Sequence, residues 1–340
     1  MSNKIIYDLG CSTNKTLPEA IGVDVREGVT DYSADIHELE FFGDATADII
    51  ISRHSFEHLL DPAKALKEWL RILKPGGKLI FVLPDHEFIN TIDPYYSAGQ
   101  HLHAYTRESF CNFLSLFPEL HVTKCETVLE NWSFGVVVRK LPRIAILIPH
   151  IEYKREEGLV ECLKSTVTAY PKDLLGLYII DGDSMTVPEK IKKGLSWATI
   201  DDKYDFVCYA ANDMVFHKDC LFHAVVDSLT FDKGLVSFNE GVLLADQGNI
   251  CTHFIIRKDL ISKLENGEIF STDFHHVGVD NWLWAQCKKM GEAHYCENAR
   301  IVHNHFSKGV TGIDETYQKG WSHVDEDRKV LAEKLLTLNS

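Results

Sequence analysis

At 340 residues, 45% hydrophobic and 25% charged, the chain has ordinary globular composition and length enough for two domains of about 150 residues. A net charge of -15 with no Lys/Arg run excludes the broad basic face that grips duplex DNA, leaving room only for a local basic patch in a cleft. No apolar run approaches the roughly 18 residues of a membrane helix, no charged-then-apolar leader opens the sequence, and nine scattered cysteines without a CxxC pair fit free thiols in a reducing, cytoplasmic compartment.

Residues 5–9, 21–25, 47–52 and 78–83 are predicted strands. Helical spacing runs over 62–73 through Ala63, Leu66, Trp69, Leu70 and Leu73, and Pro75-Gly76-Gly77 is expected to end that helix. This βαβ rhythm with apolar strands predicts a parallel sheet covered on both faces. After Lys140-Leu141-Pro142 a new cycle starts, with strands at 144–148, 177–181 and 205–210 and a helix over about 157–169. The reading is α/β with two domains, 1–141 and 142–340, the last segment (314–338) forming helices that pack on the second domain through Val330, Leu331 and Leu335.

In doubly wound sheets ligands sit at the carboxyl ends of strands, where tight turns present backbone N–H groups. Asp8-Leu9-Gly10-Cys11 is placed there, and Gly10 lets the backbone approach a ligand closely. Asp24 ends the second strand, where a carboxylate can accept from both ribose hydroxyls of an adenosine; Asp35, in the next loop, suits an adenine amino group. Taken singly each acid is an ordinary loop carboxylate, and only their order and spacing point to an adenosyl cofactor. His54, Glu57, His58, His101 and His103 are candidate bases, unless Glu57 and His58 merely cap or pack the helix.

The segments DLGCSTNK (8–15), IGVDV (21–25), ADIHELEF (34–41), the stretch 47–85 with SRHSFEHLLDP and LKPGGKLIFVLPD, and HLHAYTRESF (101–110) together resemble a class I S-adenosylmethionine-dependent methyltransferase. The resemblance is to the compact subgroup in which the first motif runs directly into Asn14-Lys15 and the first helix is cut short. It implies a Rossmann-like fold with S-adenosylmethionine lined by Asp8, Gly10, Asp24, Asp35 and His54. Ser12 departs from the pattern: glycine is usual there, and a side chain crowds the methionine moiety.

In the second half, Asn212-Asp213 follows an apolar strand, and His303 and His305 alternate on the predicted strand 299–306, which puts both imidazoles on one face. A strand-end carboxylate with such imidazoles can hold a divalent metal of manganese type, a Lewis acid for a departing nucleoside diphosphate. An isolated HxH otherwise reads as one exposed and one packed histidine. Asp280 is the candidate base: it opens an amphipathic helix carrying Trp282, Leu283, Trp284 and Cys287, whose dipole is expected to hold it ionised, and Asp is also a good N-cap.

RIAILIPHI (143–151), LYIIDGDS (177–184), YAANDMVF (209–216), GVDNWLWAQCKKMG (278–291) and VHNHF (302–306) resemble a glycosyltransferase of the GT-A fold, close to the family-two type. That resemblance implies a nucleotide-sugar donor near Pro149, Asp181, Asp183 and Asn212, a Mn2+ ion on Asp213 with His303 or His305, and Asp280 as the base. Asn212 stands where aspartate is usual, so the metal rests on Asp213 and a histidine.

The combined expectation is a bifunctional enzyme. The second domain moves a sugar from a nucleotide-diphosphate donor, a UDP-sugar, with inversion to a hydroxyl acceptor, either a surface glycan or a hydroxylated base of phage DNA. The first binds S-adenosylmethionine and methylates the same acceptor. Two alternatives stand beside it: a glycan methyltransferase whose second domain binds substrate, and a scaffold of two decayed folds. No membrane partner is expected; sugar, acceptor and oligomeric state stay open.

Overall fold

The computed structural model describes residues 4–97, 100–150, 156–182, 184–200, 203–241, 250–304 and 322–339. The chain divides into two compact units, Met1–Leu141 and Pro142–Ser340.

The first unit is built on one sheet of seven strands: β1 (Ile6–Leu9), β2 (Ile21–Asp24), β3 (Tyr32–Ser33), β4 (Ala47–Arg53), β5 (Leu73–Pro84), β6 (Leu120–Leu129) and β7 (Ser133–Lys140). Their order is β3-β2-β1-β4-β5-β7-β6. β1 to β5 are parallel, whereas β7 is antiparallel to both β5 and β6. The expected parallel sheet is therefore corrected to a mixed one. Only Glu130, Asn131 and Trp132 separate β6 from β7, and so short a link can join only antiparallel strands. The chain builds outward from β1 to β3 and then returns to lay β4 on the other side of β1. That reversal makes a crevice at the carboxyl ends of β1 and β4.

Among the described residues no helix joins β1 to β2. The helix Pro62–Ile72 starts on Asp61, whose side chain accepts from the Lys64 N–H at 2.9 Å, with proline in its first turn. It ends at Leu73, which turns to extended dihedrals and opens β5. Pro75-Gly76-Gly77 thus lies inside the strand and does not terminate the helix. Ala65, Leu66, Trp69, Leu70 and Ile72 are its buried face. Trp69 meets Phe56 edge-on at 5.4 Å and donates its indole N–H to the Ile36 carbonyl at 2.8 Å. Trp69→Ala is expected to lower the unfolding free energy of this unit by about 4 kcal/mol, since a large cavity and an orphaned carbonyl are left together; urea titration reads it.

The second unit holds another seven-stranded sheet: β8 (Ile144–His150), β9 (Leu175–Asp181), β10 (Phe206–Tyr209), β11 (Met214–Phe216), β12 (Leu235–Asn239), β13 (Phe254–Arg257) and β14 (Ala293–His303), in the order β11-β14-β12-β13-β10-β8-β9. β9, β8 and β10 are parallel, β13 is antiparallel to β10 and β12, and β11 to β14. Ile144 to Ile148 are all buried, as a central strand covered on both faces requires. β8 is flanked by β9 on one side and β10 on the other, a second point where the winding reverses. Helix Val324–Asn339 packs on helix Val279–Lys289, with Val330, Leu331 and Leu335 against the core.

All nine cysteines are free, and only Cys111 and Cys125 are not buried. Among the described residues no helix is long and apolar enough to cross a membrane.

Candidate functional sites

In the first unit Asp8 lies on β1 and Asp24 ends β2, and both are buried. One Asp8 carboxylate oxygen accepts the Thr16 N–H; the other is buried without a hydrogen-bond partner among the described residues. Asp24 accepts the Ser12 N–H at 2.8 Å on one oxygen and the Arg26 N–H at 3.1 Å on the other. The loop after β1 is therefore tied to the end of β2 through a carboxylate. Two acids at the switch point suit a ligand with a cationic sulfonium, an ammonium and a ribose diol. Asp35 is more exposed and holds the N–H and ring Nδ1 of His37, the ring at 2.6 Å.

Gly10 and Ser12 both have left-handed backbones, with φ 73 and 49. Glycine is the usual residue for such dihedrals, which is why Ser12 stands out. Packing constrains Gly10 as well. Its absent Cβ does not face open ligand space: it would lie 2.4 Å from Ser55 Cβ and 2.8 Å from Ser55 Oγ. Ser55 is pinned there, donating to the Leu9 carbonyl at 2.9 Å and sharing a hydrogen bond with Ser52 at 2.7 Å. Gly10→Ala is expected to cost about 3 kcal/mol through overpacking and the left-handed dihedral together, read as a lowered melting temperature.

His54 follows β4 at φ 51, and its N–H donates to the Val82 carbonyl at 2.9 Å. Its ring Nδ1 is 3.7 Å from Glu57 Oε1. Glu57 sits in a single turn, Phe56–His58, and does not cap the following helix, whose cap is Asp61. Of the remaining candidate bases, His58 and His101 turn toward Glu57, with Nε2 at 3.9 and 3.8 Å from Oε1. His103 turns away, its Nε2 at 2.8 Å from the Leu59 carbonyl.

In the second unit Asp213 lies just after β10 and is buried. His303, at the end of β14, bridges two acids: Nε2 is 3.5 Å from Asp213 Oδ1 and Nδ1 is 3.1 Å from Glu240 Oε2. Glu240 also accepts the Thr252 hydroxyl. His253 is buried, stacks on Tyr209 and meets His303 edge-on at 4.5 Å. Burial pushes the Glu240 carboxyl up, but the His303 hydrogen bond, His253 and Thr252 together bring it down to about 2. For His303 burial works against the charged ring, and Asp213 and Glu240 outweigh it and raise its pKa.

Asp280 lies in the first turn of helix Val279–Lys289, capped by Gly278 and not by Asp280 itself. The N–H groups at the helix start favour its ionised form, as expected from the dipole, but burial outweighs them. Burial raises its carboxyl to about 6 against the Asn281 and its own N–H groups, and the charge on Glu240 adds to the rise. Asn212 offers its amide to His150 Nδ1 at 3.0 Å, so it turns to the end of β8. Pro149 and His150 pair with Ile180 and Asp181 across β8 and β9, leaving Asp181 exposed at the strand end. Asp183 and His305 lie outside the described residues. Glu240 and His253 are not legible as site residues in the sequence. A glutamate between an apolar strand and Gly241 is the one signal that points there.

Residues 9–81 match a family model described as a methyltransferase domain. An uncharacterised 37.1 kDa protein of a Streptomyces fradiae transposon is 35% identical over 112 residues, 33% of this chain and 26% of that one. The uncharacterised protein YafE of Escherichia coli (strain K12) is 36% identical over 80 residues, 24% of this chain and 38% of its own. The chain thus spans only about a quarter to two fifths of the length of these relatives. Among solved structures, the complex of the Haloferax volcanii Trm112 methyltransferase activator with a putative methyltransferase gives a TM-score of 0.34 at 17% identity over 42% of this chain and 85% of the matched one. A SAM-dependent methyltransferase from Aquifex aeolicus gives 0.32 at 17% identity over 41% and 82%.

Proposed function

We propose, from the premise that the first unit is a methyltransferase domain of the class I S-adenosylmethionine-dependent type, that it moves a methyl group from S-adenosylmethionine to a glycan, and that the second unit binds the glycan. The observation that carries this is the pair of buried carboxylates, Asp8 and Asp24, at the carboxyl ends of the neighbouring strands β1 and β2, beside the point where the winding reverses. Asp24 would take the ribose hydroxyls and Asp35 the adenine amino group. The unpartnered oxygen of Asp8 supplies negative charge where the ligand is cationic. The cofactor brings an activated methyl group, so the chain has mainly to align the acceptor. His54, half-exposed at the end of β4, would receive the acceptor proton. Calorimetry with S-adenosylmethionine tests the reading: saturable heat supports it, and no heat removes it.

A second reading, glycosyl transfer by the second unit, draws on a different observation. Asp213, Glu240, His253 and His303 gather at one end of the second sheet, and Glu240 is close enough to raise Asp280. Two carboxylates and two imidazoles suit Mn2+. Asp213 and His303 would hold the ion, which neutralises a departing diphosphate when bound, and Asp280 would take the acceptor proton. Release of uridine diphosphate from a UDP-sugar with Mn2+ tests this. Undiminished release by Asp280→Asn would take Asp280 out of the chemistry. If neither nucleotide produces heat, both folds serve as a scaffold.

A further inference from the structure

Glu57 is the least explained polar group in the first unit. It is 0% exposed, and neither carboxylate oxygen has a hydrogen-bond donor among the described residues. An isolated carboxylate so placed is costly. What surrounds it is imidazole: His54 Nδ1 at 3.7 Å, His101 Nε2 at 3.8 Å and His58 Nε2 at 3.9 Å, all from Oε1.

These separations are too long for hydrogen bonds, which close at about 2.7–3.2 Å. They lie near the separation of ligands that share one ion: two atoms each about 2.1 Å from a tetrahedral metal stand roughly 3.4 Å apart. The ring tautomers point the same way. His58 Nδ1 is 2.9 Å from the Gln100 carbonyl and His101 Nδ1 is 2.6 Å from the Thr91 carbonyl. A carbonyl only accepts, so both Nδ1 atoms carry hydrogen, and in the neutral rings both Nε2 lone pairs are left facing Glu57. Three acceptors then converge with no donor between them. Imidazole anchored through its far N–H to a backbone carbonyl is the usual outer-shell arrangement of a metal-ligating histidine.

The scaffold is fixed on both sides. Phe56 is fully buried in the core, and the Leu102 and His103 N–H groups donate to the Glu57 carbonyl at 2.9 and 3.1 Å. The segment carrying His101 is thereby tied to the turn carrying Glu57 and His58.

We infer that Glu57, His58 and His101 form a binding site for a divalent transition metal of zinc type. Two imidazoles and one carboxylate favour such a borderline cation over magnesium or calcium. The His58 and His101 rings keep 33% and 15% of their surface, so solvent or an acceptor oxygen can reach an open coordination position. Nothing in this inference depends on the methyl-transfer reading.

The test uses the full chain, stripped with a chelator and titrated with Zn2+ in competition with a coloured indicator. The parent is expected to take up zinc at a tight site that Glu57→Gln and His58→Ala each weaken by at least about 100-fold. Asp213→Asn, in the other unit, leaves that equivalent in place and so separates it from the second cluster. Because His58 is part-exposed, its variant keeps the test sound if Glu57→Gln does not fold. Calorimetry of the two variants with S-adenosylmethionine, each still within about threefold of the parent, separates this site from the cofactor crevice. Zinc uptake unchanged in His58→Ala, or no tight zinc in the parent, overturns the inference.

Discussion

Asp24→Asn is expected to weaken S-adenosylmethionine binding by about 100-fold, because two hydrogen bonds to a charged acceptor are degraded at once. Asp24 accepts the Ser12 N–H on one oxygen and the Arg26 N–H on the other. An asparagine offers one acceptor, and its amide would face the second N–H, donor against donor. Either the loop after β1 or the turn after β2 must loosen, and both border the cofactor crevice. Arg26 adds to the coupling, since its guanidinium donates to Ser12 Oγ at 2.7 Å. Calorimetry gives the affinity, and thermal melting of the unliganded variant gives the folding cost, about 1–3 kcal/mol. A variant that binds as tightly as the parent would show that Asp24 neither holds the cofactor nor shapes the crevice around it.

The sheet-end acids of the first unit are readable in the sequence because the information is local. DLG after an apolar strand, and IGVD as the next one, fix both carboxylates within a few residues of their strands. The hairpin β6–β7 is not readable in the same way. Strict period-two alternation is absent from β7, where Val136, Val137 and Val138 run together, so the pattern gives no direction, and only the brevity of the Glu130–Trp132 link settles it. The Glu57 cluster illustrates a second limit. Glu57 and His58 are adjacent in sequence, but His101 arrives from a segment more than forty positions on, tied in by backbone bonds to Glu57 itself. Glu240 and His253 share that limit. Each follows or precedes its own strand, and only the sheet order brings them beside His303.

Asp280→Asn is expected to stabilise the second unit at pH 8 and to do nothing for it near pH 3. Burial raises the folded-state carboxyl from an ordinary 3.8 to about 6. The folded form thus binds the proton more tightly than the unfolded chain does. Below pH 3.8 both forms are protonated and there is no cost; between 3.8 and 6 stability falls as pH rises; above 6 the full penalty is present. That difference corresponds to at most about 3 kcal/mol, and less where water still reaches the side chain. Asparagine keeps the shape and an acceptor for the Asn281 N–H while removing the charge. Glu240 works with the opposite sign. Its carboxyl is lowered from 4.5 to about 2, so its contribution is present above pH 4.5 and lost as pH falls toward 2. The variant should therefore keep the acid limb of the stability profile and lose the decline above pH 4. If Asp280 also takes the acceptor proton, the same substitution lowers uridine diphosphate release by about 100-fold or more. A unit that is more stable and less active is what a strained acid at a working site produces. A unit no more stable at pH 8 would mean that the buried carboxyl carries no penalty, and the case for Asp280 as a tuned base would go with it.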